Sequence, residues 1–464
     1  MDAPPPLPPD VLTALPPAVV ALIQWQAQQI SRLTARVAEL EAKLKKNPNN
    51  SSKPPSSTHP HDKPAAKPKS GRKPGGQPGH GKHERPLLPT EECQEVVRCV
   101  PTECRRCGKE LQGVDGDPLR RQIWELPEIK PIVTEFQLHR LVCSCGCSTC
   151  GKLPEGVPAG QAGPRLIAFT ALLMACFRQS KRRAAQFLST ILNQPASAGW
   201  MVQLQNRAAE AVLPAYNELA EQLPREPMLN IDESPTKEGK SKAWVWTFVA
   251  ASFTVFVCAT SRAAEVAKNV LGEEYEGIIH CDRARMYWCF GRLQWCWAHL
   301  KRDFQAWIDD RCATKQQLGR DLMRQTKKMF GLWHNVRDGT LSRRAFRRQM
   351  QPIRHRVEMV LLRAYLDPLT ENIVKELIEH IDNLWTFVDI EGVEPTNNAA
   401  ERALRHAVIW RKLSFGTQSA SGSRFVERLL TVIETCRRQG RNAFAWLTEA
   451  IRHGIPATSL VPMA

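Results

Sequence analysis

Ile23, Ile30, Val37 and Leu44 recur every seven residues, and Leu33 and Leu40 fall between them at an offset of three or four. This is the a/d seam of a coiled coil three to four heptads long, and it predicts a helix over 18–46 that pairs with another copy. One amphipathic helix packed on its own protein is the competing reading. On either side the periodic pattern stops. Residues 1–17 are Pro-rich and residues 47–86 are rich in Pro, Ser, Gly and Lys, so both stretches are expected to be disordered. From 163 to 223 the period is helical, and SKRRAAQFLSTILNQPASAGWMVQLQNRAAEAV reads as helix, short turn at 193–197, helix. That layout fits a helix-turn-helix with Lys181, Arg182 and Arg183 near phosphates, and equally a pair of core helices.

After Pro227 the period shortens. Met228-Leu229-Asn230-Ile231-Asp232 reads as a short apolar strand ending on a carboxylate, and Gly277-Ile278-Ile279-His280-Cys281-Asp282 as another. Between them, residues 243–260 carry no charge but are rich in β-branched and aromatic residues. Two buried strands with a tight turn near Ala251-Ser252 describe this run better than a membrane span. SRAAEVAKNVLG follows as a helix stopped by glycine. The order strand, strand, strand, helix, strand matches the opening of a ribonuclease-H-like α/β fold. In that fold the first and fourth strands are neighbours, which sets Asp232 beside Asp282.

Two adjacent buried carboxylates repel each other and are costly without a cation. Magnesium, hard and oxygen-seeking, suits them, and a pair of such ions performs phosphodiester chemistry. Holding the second ion calls for a third carboxylate, from a later helix. Glu401, in VEPTNNAAERALR, lies 119 residues after Asp282 on such a helix, with Asn397 and Asn398 as its expected caps. Taken alone, Glu401 reads first as part of a solvated salt bridge, and the rest of the chain turns it toward a metal ligand. The intervening stretch, 300–391, is helical and basic. Glu233, next to Asp232, is expected on the opposite side of its strand. His299 is either a neighbour of the site or a satisfied structural histidine, and Trp295 and Trp297 are expected to pack rather than stack on bases.

Composition sharpens this picture. The 464 residues carry a formal charge of +17, and hydrophobic residues make up 42%. That balance indicates a largely globular chain with a polyanionic partner, nucleic acid before membrane. Between Lys43 and Arg85 eleven Lys or Arg face two acids, so the 47–86 tract is either a plain linker or a non-specific phosphate binder. No basic region precedes an apolar run at the N-terminus, so no export signal is expected. Fifteen cysteines in such a chain point to reduced thiols or metal ligands, and eight of them lie between Cys93 and Cys150. Cys104-Arg105-Arg106-Cys107-Gly108 has the form of a zinc-knuckle turn. A second pair of thiolates comes from Cys143, Cys145, Cys147 and Cys150, while Cys93 and Cys99 read as spare. The alternating residues 120–142 are expected to form a strand pair joining the two halves.

NIDESP, HCDRARMYW, QWCWAHLKRDF and EPTNNAAERALRHAVIWRK resemble the catalytic stretches of insertion-sequence-66-type DDE transposases. NPNNSSKPPS, GGQPGH, the cysteine region and LPEGVPAGQAGPRL resemble their upstream parts, in order, from about residue 20 to residue 440. Cys281 and Arg283 depart from the Ser and Gly of many members. The resemblance implies a multidomain chain. After a disordered 1–17 come a coiled coil (18–46), a basic linker (47–86), a zinc-binding segment (87–158) and a helical region (159–224). A ribonuclease-H-like catalytic domain follows (225–299 and 392–440), carrying a helical insertion (300–391), then a C-terminal helix and tail (441–464).

It also implies cleavage of transposon ends and transfer of the 3′ hydroxyl to target DNA. Asp232, Asp282 and Glu401 match the three acidic positions that hold Mg2+ or Mn2+. Arg402, Arg405, Arg411 and Lys412 are candidates for the DNA backbone, with salt bridges as the alternative for the arginines. Cys104, Cys107, Cys143 and Cys145 would hold structural Zn2+, with Cys147 and Cys150 as alternates. The expected partners are double-stranded DNA, another copy of the chain in a dimer or higher oligomer, and accessory transposition proteins. The expected location is the bacterial cytoplasm, at the nucleoid, with no membrane. A metal-dependent nuclease and a catalytically inactive DNA-binding regulator are the other readings.

Overall fold

The computed structural model describes residues 15–44, 46, 50, 86–157, 160–453 and 459–461. The disorder expected for 1–17 and 47–86 therefore lies almost wholly outside the described residues. The heptad stretch forms one helix, α1 (Pro17–Leu44). Ile30, Leu33, Val37 and Leu40 of its seam are exposed, so these positions of the stripe are left uncovered among the described residues.

In the cysteine-rich segment the structure departs from the expected strand pair. Residues 120–139 form no strand, and only β1 (Arg140–Val142) and β2 (Ser148–Cys150) pair, as a short antiparallel ladder. Pro127 and Pro131 remove backbone donors from the alternating stretch. Ile123, Ile132 and Val133 stand open to solvent, so no second layer rewards the alternation.

One continuous core runs from Ala162 to Leu460. It begins with four helices: α2 (Pro164–Ala175), α3 (Lys181–Ile191), α4 (Ala198–Ala211) and α5 (Leu213–Gln222). Beside them lies a five-stranded sheet built from β3 (Met228–Glu238), β4 (Ser241–Val249), β5 (Thr254–Ala259), β6 (Ile278–Cys281) and β7 (Leu293–Trp295), in the order β5-β4-β3-β6-β7. The first three strands are antiparallel neighbours, whereas β6 pairs in parallel with both β3 and β7. The uncharged run 243–260 is the β4–β5 hairpin, with Trp246, Phe248 and Phe256 fully buried. Among the described residues no helix is long and apolar enough to cross a membrane. Helix α6 (Ala264–Leu271) links β5 to β6 and ends at Gly272, whose φ of 88° suits glycine. Strand β3 does not end at Asp232 as its apolar run suggested. It continues to Glu238, because β4 supplies ladder partners out to Ser241.

The helical stretch after β7 comprises α7 (Trp297–Ile308), α8 (Ala313–Arg337), α9 (Arg343–Tyr365), α10 (Glu371–Glu379) and the single turn α11 (Thr386–Asp389). Trp333, Phe346 and Phe387 meet at centroid separations of 5.7–6.0 Å and fix the α8–α9 hairpin against α11. The stretch leaves the sheet and returns to it at one place. The Trp297 N–H donates to the Pro395 carbonyl at 2.9 Å, and the Trp297 indole N–H to the Leu384 carbonyl at 2.8 Å.

The chain then runs through α12 (Asn398–Ser414), α13 (Ala420–Arg438) and α14 (Ala443–His453). Helix α13 covers the open edge of β5. Glu427, Thr431 and Thr435 accept from the backbone N–H groups of Cys258, Phe256 and Thr254 at 2.9, 2.9 and 3.2 Å. The match is geometric: four helical residues rise about 6.0 Å and two strand residues about 6.6 Å, so every i+4 acceptor meets every second strand donor. An edge that would otherwise invite another strand is thereby closed.

Two outcomes follow from this edge. Thr431→Val keeps the shape but strands the Phe256 N–H, and should lower unfolding stability by about 1–3 kcal/mol; unchanged denaturant unfolding would count against the pairing. Burial raises the Glu427 carboxyl from 4.5 to about 7. The folded state thus keeps a proton that the unfolded chain releases, so this group's contribution to stability is present at low pH and is lost as pH rises from about 4.5 to about 7. Glu427→Gln should flatten that stretch of the stability–pH curve; identical curves for the two proteins would refute the assignment.

Candidate active site

The register of β3 against β6 pairs Met228 with Ile278, Leu229 with Ile279 and Asn230 with His280. Each pair is separated by fifty positions, and so are Asp232 and Asp282. The two carboxylates therefore follow the last paired residues at the same step, on neighbouring strands. Asp232 accepts from the Glu233 N–H at 2.9 Å and Asp282 from the Ala284 N–H at 2.8 Å. Burial pushes the Asp232 carboxyl well above the usual carboxylate range, and the charges of Glu233, Asp282 and Glu401 push it further.

Glu401 comes in from α12. Its Oε1 lies 3.7 Å from both His299 Nδ1 and an Arg302 guanidinium nitrogen on α7, beyond hydrogen-bond range. Glu401 Oε1 and His299 Nδ1 are both buried without a hydrogen-bond partner. His299 is thus a neighbour of the site and not a satisfied structural histidine. Burial first, then Arg302, depress its pKa, while Glu401 opposes them. Cys296 stands at the residue before α7, without a side-chain capping hydrogen bond; burial raises its thiol to about 11, against backbone N–H groups of Asn397, His299 and Ala298 that favour the thiolate.

Asn397 sets the approach of α12, though not as a cap: its side chain makes no capping hydrogen bond. Its amide donates to the Ile231 carbonyl at 2.7 Å, and its carbonyl accepts from Asn230 at 2.9 Å. Asn230 spends its other amide hydrogen on His280 Nδ1 at 2.8 Å, and burial keeps that imidazole neutral, with its pKa lowered to about 4. The Asn397 backbone N–H donates to Cys296 Sγ at 3.2 Å. One buried residue thus ties α12 to β3 and to the β7–α7 junction.

The remaining residues sort themselves by contact. Glu233, almost wholly buried, is held by Tyr287 at 2.5 Å and by Arg262 at 2.6 Å. Trp295 and Trp297 are buried in packing. Arg402 and Arg405 are exposed, and among the described residues they form no ion pair or hydrogen bond. Arg411 is half-buried, its guanidinium pKa lowered by burial, and Lys412 is exposed.

Lys181, Arg182 and Arg183 form an exposed first turn of α3, capped by Ser180, which accepts from the Arg183 N–H at 3.3 Å. Helix α4 buries one face, with Met201, Leu204, Gln205 and Ala208 inside. In the cysteine segment, the Cys104 thiol is drawn down by the N–H groups of Arg106 and Cys107, and that of Cys143 by the N–H of Cys145. These are two separate knuckle-like turns. Among the described residues no three of the thiols at 104, 107, 143, 145, 147 and 150 converge.

Sequence reasoning missed Asn397 as a tie, and Cys296 and Arg302 as neighbours of Glu401. The Cys-x-x-His spacing in QWCWAHLKRDF was the available signal for Cys296. Nothing in the sequence announced the Asn397 contacts, which span more than 160 positions.

The model of the Transposase IS66 family matches residues 159–424, more than half of the chain, and the protein belongs to that family. A second model, of a family of unknown function, matches residues 9–86. The uncharacterized protein y4qI of Sinorhizobium fredii is 23% identical over 258 residues, 49% of this chain and 47% of that one. The chain thus aligns with about half of that relative's length. The uncharacterized protein y4hP of the same organism is 22% identical over 411 residues, 78% of this chain and 72% of that one.

Asn397→Ala leaves the Ile231 carbonyl and the Asn230 amide unpaired in the interior. It should cost about 1–3 kcal/mol of unfolding stability. A variant as stable as the parent in denaturant titration would show that α12 is held by other contacts.

Proposed function

We propose that the protein cleaves transposon ends and joins the freed 3′ hydroxyl to target DNA, using Asp232, Asp282 and Glu401 on a ribonuclease-H-like domain. The shared fifty-residue offset of the β3–β6 register and of the two aspartates carries this reading. The sheet order, three antiparallel strands followed by two parallel ones, supports the fold assignment.

The acidic cluster suits divalent cations: Asp232 is destabilised as an anion first by burial and then by its acidic neighbours, and Glu401 Oε1 is a buried acceptor without a donor. Asp232 and Asp282 would hold one Mg2+ or Mn2+, and Asp232 and Glu401 the other. Ions of this kind polarise the phosphate and ease deprotonation of the attacking oxygen. The protein's own part is positional. Asn397 orients the helix of Glu401, and the exposed Arg402 and Arg405 bind backbone phosphates beside it, with Arg411 and Lys412 further along. A water oxygen displaces the 3′ oxygen of the scissile phosphodiester; that hydroxyl then displaces a target-strand oxygen, and no Ser or Tyr nucleophile is required.

The other segments have supporting roles in this reading. The basic first turn of α3 opposes the helix dipole, an arrangement relieved by phosphate. The exposed stripe of α1 pairs two copies, so that two DNA ends are held together. The segment 87–158 takes structural Zn2+ through Cys104, Cys107 and two later thiols. Accessory proteins and a place at the nucleoid complete the proposal.

The test is joining of DNA that carries the sequences flanking the gene to a plasmid, in magnesium. Wild type should yield joined product, and Asp282→Ala and Glu401→Gln about 100-fold less or none, as loss of several kcal/mol of charge stabilisation requires. Cleavage without joining would make the protein a nuclease. DNA binding that survives loss of all three carboxylates, with no cleavage by any variant, would make it a regulator. Equal product from Glu401→Gln would remove Glu401 from the triad.

A further inference from the structure

Cys296 and His299 stand three positions apart at the start of α7, a Cys-x-x-His turn outside the cysteine-rich segment. Ligand atoms of Cys296, His299 and Glu401 all lie within 4.8 Å of one another. Among the described residues this is the one group of three Cys, His, Asp or Glu side chains that converges so closely. Two of its atoms, His299 Nδ1 and Glu401 Oε1, are buried with no hydrogen-bond partner. An unpaired buried acceptor is costly, and here two of them face each other.

We propose that Cys296, His299 and Glu401 form a binding site for one thiophilic divalent cation of the zinc class. Sulfur, nitrogen and carboxylate oxygen with a position left open make the donor set of an exchangeable zinc site, whereas magnesium takes oxygen ligands. The Asn397 N–H donates to Cys296 Sγ at 3.2 Å, and a bound cation would supply the rest of what the thiolate needs against burial. Arg302, at 3.7 Å from Glu401 Oε1, makes only a weak contact that the cation displaces. Cation binding itself requires no catalytic role for Glu401. Its consequence rests on the strand-transfer reading: a zinc-class ion here draws Glu401 away from Asp232 and Asp282 and holds the centre inactive.

The experiment is Co2+ binding to the full chain in excess Mg2+, followed by equilibrium dialysis and by thiolate-to-cobalt charge-transfer absorption. Thiols between Cys93 and Cys150 also take cobalt, so each variant is read as a difference from wild type. Cys296→Ser should bind one ion fewer and lose the matching charge-transfer intensity. His299→Gln and Glu401→Gln should weaken the same ion at least tenfold, and these two carry the test if Cys296→Ser does not fold. Asp282→Ala, which abolishes joining in the strand-transfer reading, should keep the full cobalt signal. Unchanged stoichiometry in the Cys296, His299 and Glu401 variants would overturn the site. Loss in Asp282→Ala without loss in Glu401→Gln would move the cobalt to the aspartate pair and overturn it equally. Failure of DNA joining with an intact cobalt signature would count against the strand-transfer reading alone.

Discussion

The carboxamide of Asn397 is buried where three distant parts of the chain meet, and its hydrogen bonds account for the placement of all three. It donates to the carbonyl of Ile231, one residue before Asp232, and accepts from Asn230, which in turn reaches His280, two residues before Asp282. Its own N–H ends on the sulfur of Cys296. The orientation of each of the two amides follows from its partners. In a dry interior such a network is rigid because every alternative leaves a polar group unpaired. The carboxylates of Asp232, Asp282 and Glu401 all lie within a few residues of it.

That rigidity offsets a repulsion. Four acidic side chains, Asp232, Glu233, Asp282 and Glu401, act on one another. Glu233 is neutralised locally by Arg262 and Tyr287; Asp232 and Asp282 have backbone donors, and Glu401 has His299 and Arg302 at 3.7 Å. Like charges held this close disfavour one another's ionised form. The long helical stretch between Asp282 and Glu401 does not loosen this arrangement, because its two ends are pinned together by the Trp297–Pro395 hydrogen bond. The length of an insertion matters little to a site when its ends are fixed to each other.

The amino-acid pattern carried much of this by itself. Apolar runs ending near Asp232 and Asp282, a β-branched uncharged hairpin between them and a glycine-stopped helix are local signals. They reflect burial and turn chemistry, which neighbours in sequence determine. The sequence likewise determined the helix of heptads over Pro17–Leu44 and the knuckle turn at Cys104 and Cys107. It misled where a local pattern lacked a second layer: residues 120–139 form no strand, and Ile123, Ile132 and Val133 among them stand open to solvent.

Only the tertiary structure decided the rest. The extension of β3 beyond Asp232 depends on β4, and the closure of the β5 edge depends on a helix about 170 residues later. Asn397 looked like a cap because asparagine before a helix commonly is one, and it became a tie because its side-chain oxygen accepts from Asn230, not from its own helix's N–H groups, while its amide donates to the Ile231 carbonyl. His299 and Cys296 acquired meaning from Glu401, more than a hundred positions away. Residue type and spacing decide which groups are able to bond. Which of them do is settled when the chain closes and each buried donor must take the acceptor that the fold brings to it.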